Sequence, residues 1–205
     1  MDDGLNQLSM QHPVIRGFTD VSTEPVTSRR HSLAELKLEK WAQRLASAAI
    51  KSFTGATIMG ASPYWYFVPY EPDIDAALQK LRQREFEAGR YNPVIRDMLF
   101  PLSDPPPRPG RQHDSIDAAI EDSAEEGTCS ILDMQSVGDA PDICTVGPLP
   151  DEDIEEFFGT TKPTHEMVEA HQEFWEIMNR GEGLYIIVYK DGEPDEIFFG
   201  GYSFD

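Results

Sequence analysis

The chain has 205 residues, 40% of them hydrophobic, and carries 37 Asp and Glu against 17 Lys and Arg, a formal charge of −20. That length fits one domain plus a tail, and that hydrophobic content is enough for a packed core. The charge excludes partners bound through phosphates: nucleic acid and anionic membrane surfaces are held by Lys and Arg, whereas so negative a field attracts basic proteins or cationic ligands.

The opening residues, MDDGLNQLSM, lack the basic start and apolar core of a signal peptide. No run approaches the roughly 18 apolar residues of a membrane span, so a cytoplasmic location is expected. Residues 1–58 hold seven Lys/Arg and six Asp/Glu, a net of +1, which leaves 59–205 with ten and 31, a net of −21. Gly and small residues on both sides of Met59 read as a linker, so 1–58 and an acidic domain over 59–205 are expected to be separate units. Residues 1–31 are interrupted by Pro13, Gly17 and Pro25 and read as flexible. Ser32 and Glu35 have capping-box spacing. Ala34, Leu38, Trp41, Leu45 and Ala48 follow at helical spacing, with Lys37, Lys40, Arg44 and Lys51 mostly off the stripe. A basic amphipathic helix over about 32–53 is expected, suited to docking on an acidic surface.

Within the domain, 64–70 (YWYFVPY) reads as a strand. Asp73 caps a helix carrying Ile74, Ala77, Leu78, Leu81 and Phe86, with Gly89 as its stop. The stretch 101–110 (PLSDPPPRPG) can be neither helix nor central strand and reads as a surface loop, extended in part as polyproline II. A short helix from Ser115 follows, then strands over 128–134 and 143–146, and a short acidic helix from Asp151 to Gly159. A long helix is expected from Thr161 or Thr164 to Arg180, with Met167, Val168, His171, Phe174, Trp175 and Met178 on one face. The strand 184–189, the turn Asp191-Gly192 and the strand 196–199 close the domain as a hairpin. Strands and helices do not alternate strictly. The order predicts an α+β fold: a mostly antiparallel sheet of about five strands with four helices packed on it, plus the N-terminal helical arm.

The chemistry-bearing residue types are scattered. His165 and His171 are six apart, about 240° around a helix rather than on one face, so no zinc helix is expected. No glycine-rich phosphate loop or metal-ligand spacing occurs, so neither metal nor cofactor is expected. Cys129 and Cys144 are two thiols in apolar runs and read as structural. Asp151, Glu152, Asp153, Glu155 and Glu156 crowd a helix start, where the dipole favours acids, and lack the pattern of a calcium loop. Against the negative background, Lys80, Arg82, Arg84, Arg90 and Arg96 concentrate in one span, with Phe86 and Tyr91 interleaved.

The size, acidity and α+β makeup are similar to those of small bacterial immunity and antitoxin proteins, a likeness of composition that rests on no motif. The first functional expectation is a non-enzymatic protein-binding module, immunity- or antitoxin-like or regulatory. Its acidic face (Asp151, Glu152, Asp153, Glu155, Glu156) captures a basic partner, aromatic anchors supply affinity and charge sets the association rate. The alternative is a small enzyme or anionic-ligand domain. Its pocket is formed by Arg82, Arg90, Tyr91 and Arg96, with His113 as acid/base, Cys129 as a possible nucleophile and the Pro-rich loop as lid. That alternative requires Arg90, Arg96 and His113 to converge on one cleft.

Overall fold

A computed structural model describes residues 61–96, 98–171 and 173–204. The boundary expected at Met59 and the basic helix expected over 32–53 lie outside these residues.

The aromatic run forms strand β1 (Pro63–Pro69), and its side chains alternate between the two faces of the sheet. Helix α1 (Ile74–Ala88) starts where the Asp73 carboxylate accepts from the Ala76 N–H at 3.0 Å, and it ends at Gly89 in the left-handed region, φ 72°. Helix α2 (Ile116–Ser123) is capped by Ser115. Strands β2 (Ser136–Val137) and β3 (Thr145–Pro148) precede α3 (Asp151–Phe158) and α4 (His165–Ala170). Strands β4 (Gly183–Lys190) and β5 (Glu193–Tyr202) form the hairpin. Its turn residues Asp191 and Gly192 both have positive φ, as a two-residue type I′ connection requires.

Two segments depart from the sequence expectation. Residues 128–134 are not a strand but a buried loop with a 3₁₀ turn over Ile131–Asp133. Local side-chain hydrogen bonds win over β-propensity there. Ser130 Oγ accepts from the Leu132 N–H at 3.3 Å, and Asp133 Oδ1 accepts from both the N–H and the hydroxyl of Thr128 at 2.8 Å. The long helix expected over 164–180 divides at His171, whose backbone is extended (φ −94°, ψ 132°), and resumes as a 3₁₀ turn over Glu173–Ile177. The break lets the His171 ring lie 5.2 Å from that of Phe158 and 6.2 Å from that of Phe174.

The five strands lie in the order β1-β5-β4-β3-β2. The sheet is mixed, not mostly antiparallel. β1, β5 and β4 are antiparallel neighbours, but β4–β3 and β3–β2 are parallel. The connection from β3 to β4 carries α3, α4 and the 173–177 turn. It is long enough for the crossover that a parallel pair needs, whereas the β4–β5 turn allows only an antiparallel pair.

Tyr64, Tyr66, Val68, Ile197 and Phe199 face one side of the sheet, where they pack with Leu78, Leu81 and Phe86 of α1 and with Ile131 and Leu132. Leu184, Ile186, Val188 and Phe198 face the other, with Ile154 and Phe158 of α3, Val168 of α4, and Phe174 and Trp175. The glycine pair in β5 serves this packing. A Cβ on Gly200 would lie 2.9 Å from the Trp175 ring, and one on Gly201 would lie 2.7 Å from the Tyr64 hydroxyl. The two ends of the described chain meet: Ser203 N–H donates to Ser62 O at 3.1 Å, and Ser62 N–H donates to Ser203 Oγ at 2.8 Å.

α1 also completes the backbone of the 132–137 segment. Asp75, Gln79 and Arg82, one turn apart along the helix, bond Val137 N–H (3.2 Å), Gln135 O (3.0 Å) and Leu132 O (3.1 Å). These side chains satisfy groups that a further strand would otherwise pair.

Candidate interaction surface

The three helical segments of the second layer have one sign of charge, with Lys162 in the loop between α3 and α4 and Lys190 within electrostatic reach of Glu166 at their border. α3, α4 and the 173–177 turn contain no Lys or Arg. Their exposed positions include eight carboxylates: Asp151, Glu152, Glu155, Glu156, Glu166, Glu169, Glu173 and Glu176. The amphipathic repeat creates this surface, because Ile154, Phe158, Val168, Phe174 and Trp175 turn inward and leave the acids outside. Asp153 differs from the other acids expected on this face: it is buried, 4% exposed. The Glu166 carboxyl is held below its usual range, first by its own backbone N–H and then by the Thr164 hydroxyl.

An aromatic rim adjoins the acids. The Trp175 ring lies 5.9 Å from Trp65 and 5.6 Å from Tyr202, and Trp65 lies 5.7 Å from Phe100. Trp65 and Tyr202 are half-buried, Ile177 is 41% exposed and Leu99, beside Phe100, is 81% exposed. Burial, then the neighbouring Glu176 charge, pushes the Tyr202 phenol up, which places an acid of the turn beside the rim. Neither the rim nor the acids at 166, 169, 173 and 176 was singled out from the sequence. Their signal was the polar face of 164–178, which holds acids and no lysine or arginine.

The arginine span is arranged differently. Arg90 is 5% exposed and its guanidinium grips Glu85, itself fully buried, through Nε to Oε2 and Nη2 to Oε1, both at 2.6 Å. Those bonds push the Arg90 guanidinium further up, and Arg84 Nε adds 2.8 Å to the same carboxylate. Arg82 is 9% exposed, with Nη1 on Gln79 at 2.8 Å and Nη2 on Leu132 O, and burial lowers its pKa. Arg96 is exposed. The structure therefore brings Tyr91, and not Arg90, to His113. Tyr91 OH meets His113 Nδ1 at 2.9 Å, and His113 Nε2 meets Asp122 Oδ2 at 3.2 Å. Both ring nitrogens are occupied, so neither is presented to the thiol of Cys129, a half-buried residue with φ 50°.

An open cleft of about 400 Å³ lies near this region, lined by Arg82, Asp117, Ile120, Glu121 and Gln135. Its two exposed carboxylates outnumber the one buried guanidinium. Asp133, within electrostatic reach of Arg82, is 3% exposed, and burial pushes its carboxyl up to about 6 against the hydrogen bonds from Thr128. His165 stacks on Phe67 with centroids 3.9 Å apart and places Nδ1 2.7 Å from Glu196 Oε2. Among the described residues, no three His, Cys, Asp or Glu side chains gather as a metal-binding group.

No known family, curated protein or solved structure matches the chain. Among the described residues, no helix is long and apolar enough to cross a membrane.

Proposed function

We propose that the protein is a non-enzymatic binding module that captures a basic protein surface on the acidic layer of α3, α4 and the 173–177 turn. The observation that carries this reading is that every charged residue in those three helices is acidic or histidine, beside a rim of Trp65 and Tyr202 that covers the buried Trp175 ring. The acids speed encounter with a positive partner and reject negative ones. The half-buried Trp65 and Tyr202 rings and the exposed Ile177 supply the area that holds a partner once it has docked, since aromatic anchors dominate interface energetics. The internal use of Arg82 and Arg90 favours this reading over an anion-binding pocket.

The test compares the full chain with a variant carrying Glu152→Lys, Glu155→Lys and Glu156→Lys. Proteins captured by the wild type at low salt are identified and their association rates measured. The expected result is loss of capture by the variant. The wild-type rate should also fall about tenfold or more as salt rises from about 0.01 to about 1 M, because the screening length shrinks from about 30 to about 3 Å. Equal capture by both chains, or a rate indifferent to salt, defeats the reading.

A further inference from the structure

A second surface, independent of the acidic layer, lies in the Pro-rich segment. Ring closure fixes φ near −65° at Pro105, Pro106, Pro107 and Pro109. Asp104, Pro105, Pro106 and Arg108 each precede a proline, a position that disfavours the helical region and pushes ψ toward the polyproline II value. Covalent geometry thus biases 106–109 toward the polyproline II conformation before any partner arrives. Pro105, Pro107, Arg108 and Pro109 are exposed and Pro106 is half-buried.

The segment is held at both ends. Before it, the Phe100 ring packs 5.3 Å from Tyr66 and 5.7 Å from Trp65. After it, Gly110 N–H donates to Ala88 O at 3.0 Å. This contact needs glycine at 89, because a Cβ there would lie 2.2 Å from Gly110 O. Arg111 is fastened next to it, with Nη1 3.3 Å from Glu87 and its guanidinium 5.8 Å from the centre of the Phe86 ring. Arg108 is different. Among the described residues, no carboxylate pairs with it. Pro105 lies in the bend that opens the segment, and the exposed Pro107, Arg108 and Pro109 follow it.

We propose that residues 106–109 are a presented polyproline II ligand, taken by a partner domain with an aromatic-lined groove and a single carboxylate placed for Arg108. The groove reads the prolines by shape and that carboxylate reads Arg108 by charge. Anchoring at 100 and 110 removes much of the ordering entropy that a free peptide loses on binding. The acidic layer plays no part in this contact.

The probes are one SH3 domain and one WW domain, each of the class that prefers arginine beside its prolines. Their groove tryptophan fluorescence is followed during titration with the full chain. A saturable change with at least one probe is expected, weakened about tenfold (about 1.4 kcal/mol) or more by Arg108→Ala and by Pro107→Ala. The triple lysine variant at 152, 155 and 156 should bind at least as tightly as the wild type does, which separates this contact from the acidic layer. Both single substitutions are at exposed positions, and unchanged thermal unfolding would show that the fold persists. Absence of binding to both probes, or binding indifferent to Arg108→Ala and Pro107→Ala, overturns the proposal.

Discussion

Asp133 shows how one buried carboxyl changes stability with pH. Its folded-state pKa of about 6 lies above the ordinary value of 3.8, so the native chain binds this proton more tightly than the unfolded chain does. The stability it contributes is full below the unfolded value and is lost as pH rises through the window up to about 6, after which the loss is constant. Two pKa units correspond to roughly 3 kcal/mol. Asp133→Asn keeps an acceptor for Thr128 and removes the titration. Denaturant unfolding at pH 4 and pH 7 should show the wild type losing about 2 kcal/mol relative to the variant. A difference that does not change with pH would mean that burial does not raise this carboxyl above its unfolded value. The arginine span explains why this part of the site was not legible in the sequence. Composition reveals five cations close together, but not that Glu85 would be fully buried beside Arg90, nor that Arg82 would reach the Leu132 carbonyl. Those partners are five and 50 residues away, and only the folded packing selects them.

The elements that were legible are those whose signals are local. Alternation in YWYFVPY, the Asp73 cap with the Gly89 stop, and the Asp191-Gly192 turn each specify their own geometry and reappear as β1, α1 and the β4–β5 hairpin. The failures occurred where apolar content pointed one way and short-range polar bonds another. Residues 128–134 have the composition of a strand, yet Thr128, Ser130 and Asp133 bond one another's backbone and fold the segment into a turn. The mixed sheet was missed because strand order is a long-range property. The placement of β3 beside β4 depends on the whole α3–α4 crossover. The Gly89–Gly110 contact is a further case with a measurable cost. Gly89→Ala puts an L side chain at φ 72° and drives its Cβ against Gly110 O. It should lower unfolding stability by about 2 kcal/mol or more and loosen the end of the Pro-rich segment. Urea unfolding reads the first effect, and limited proteolysis near Arg108 and Arg111 reads the second. An unchanged urea midpoint would show that the helix end yields without strain.

On the scale of the molecule, a formal charge of −20 repels itself, and folding brings the carboxylates closer together. Added salt should therefore raise the thermal midpoint of the full chain. The gain should be smaller in the variant with lysine at 152, 155 and 156, where six charge units of that repulsion have been removed by three reversals. A midpoint that falls with salt in both chains would instead point to ion pairs, such as Arg111 with Glu87, as the leading surface term. Another molecular property follows from the two serines that hold the sheet's corner. Because Ser62 and Ser203 are hydrogen-bonded to each other, the polypeptide enters and leaves the sheet at one place. In engineering terms, cuts at 62 and 203 leave two chain ends within a hydrogen bond of each other, which is the gap that a host loop or a short linker has to span.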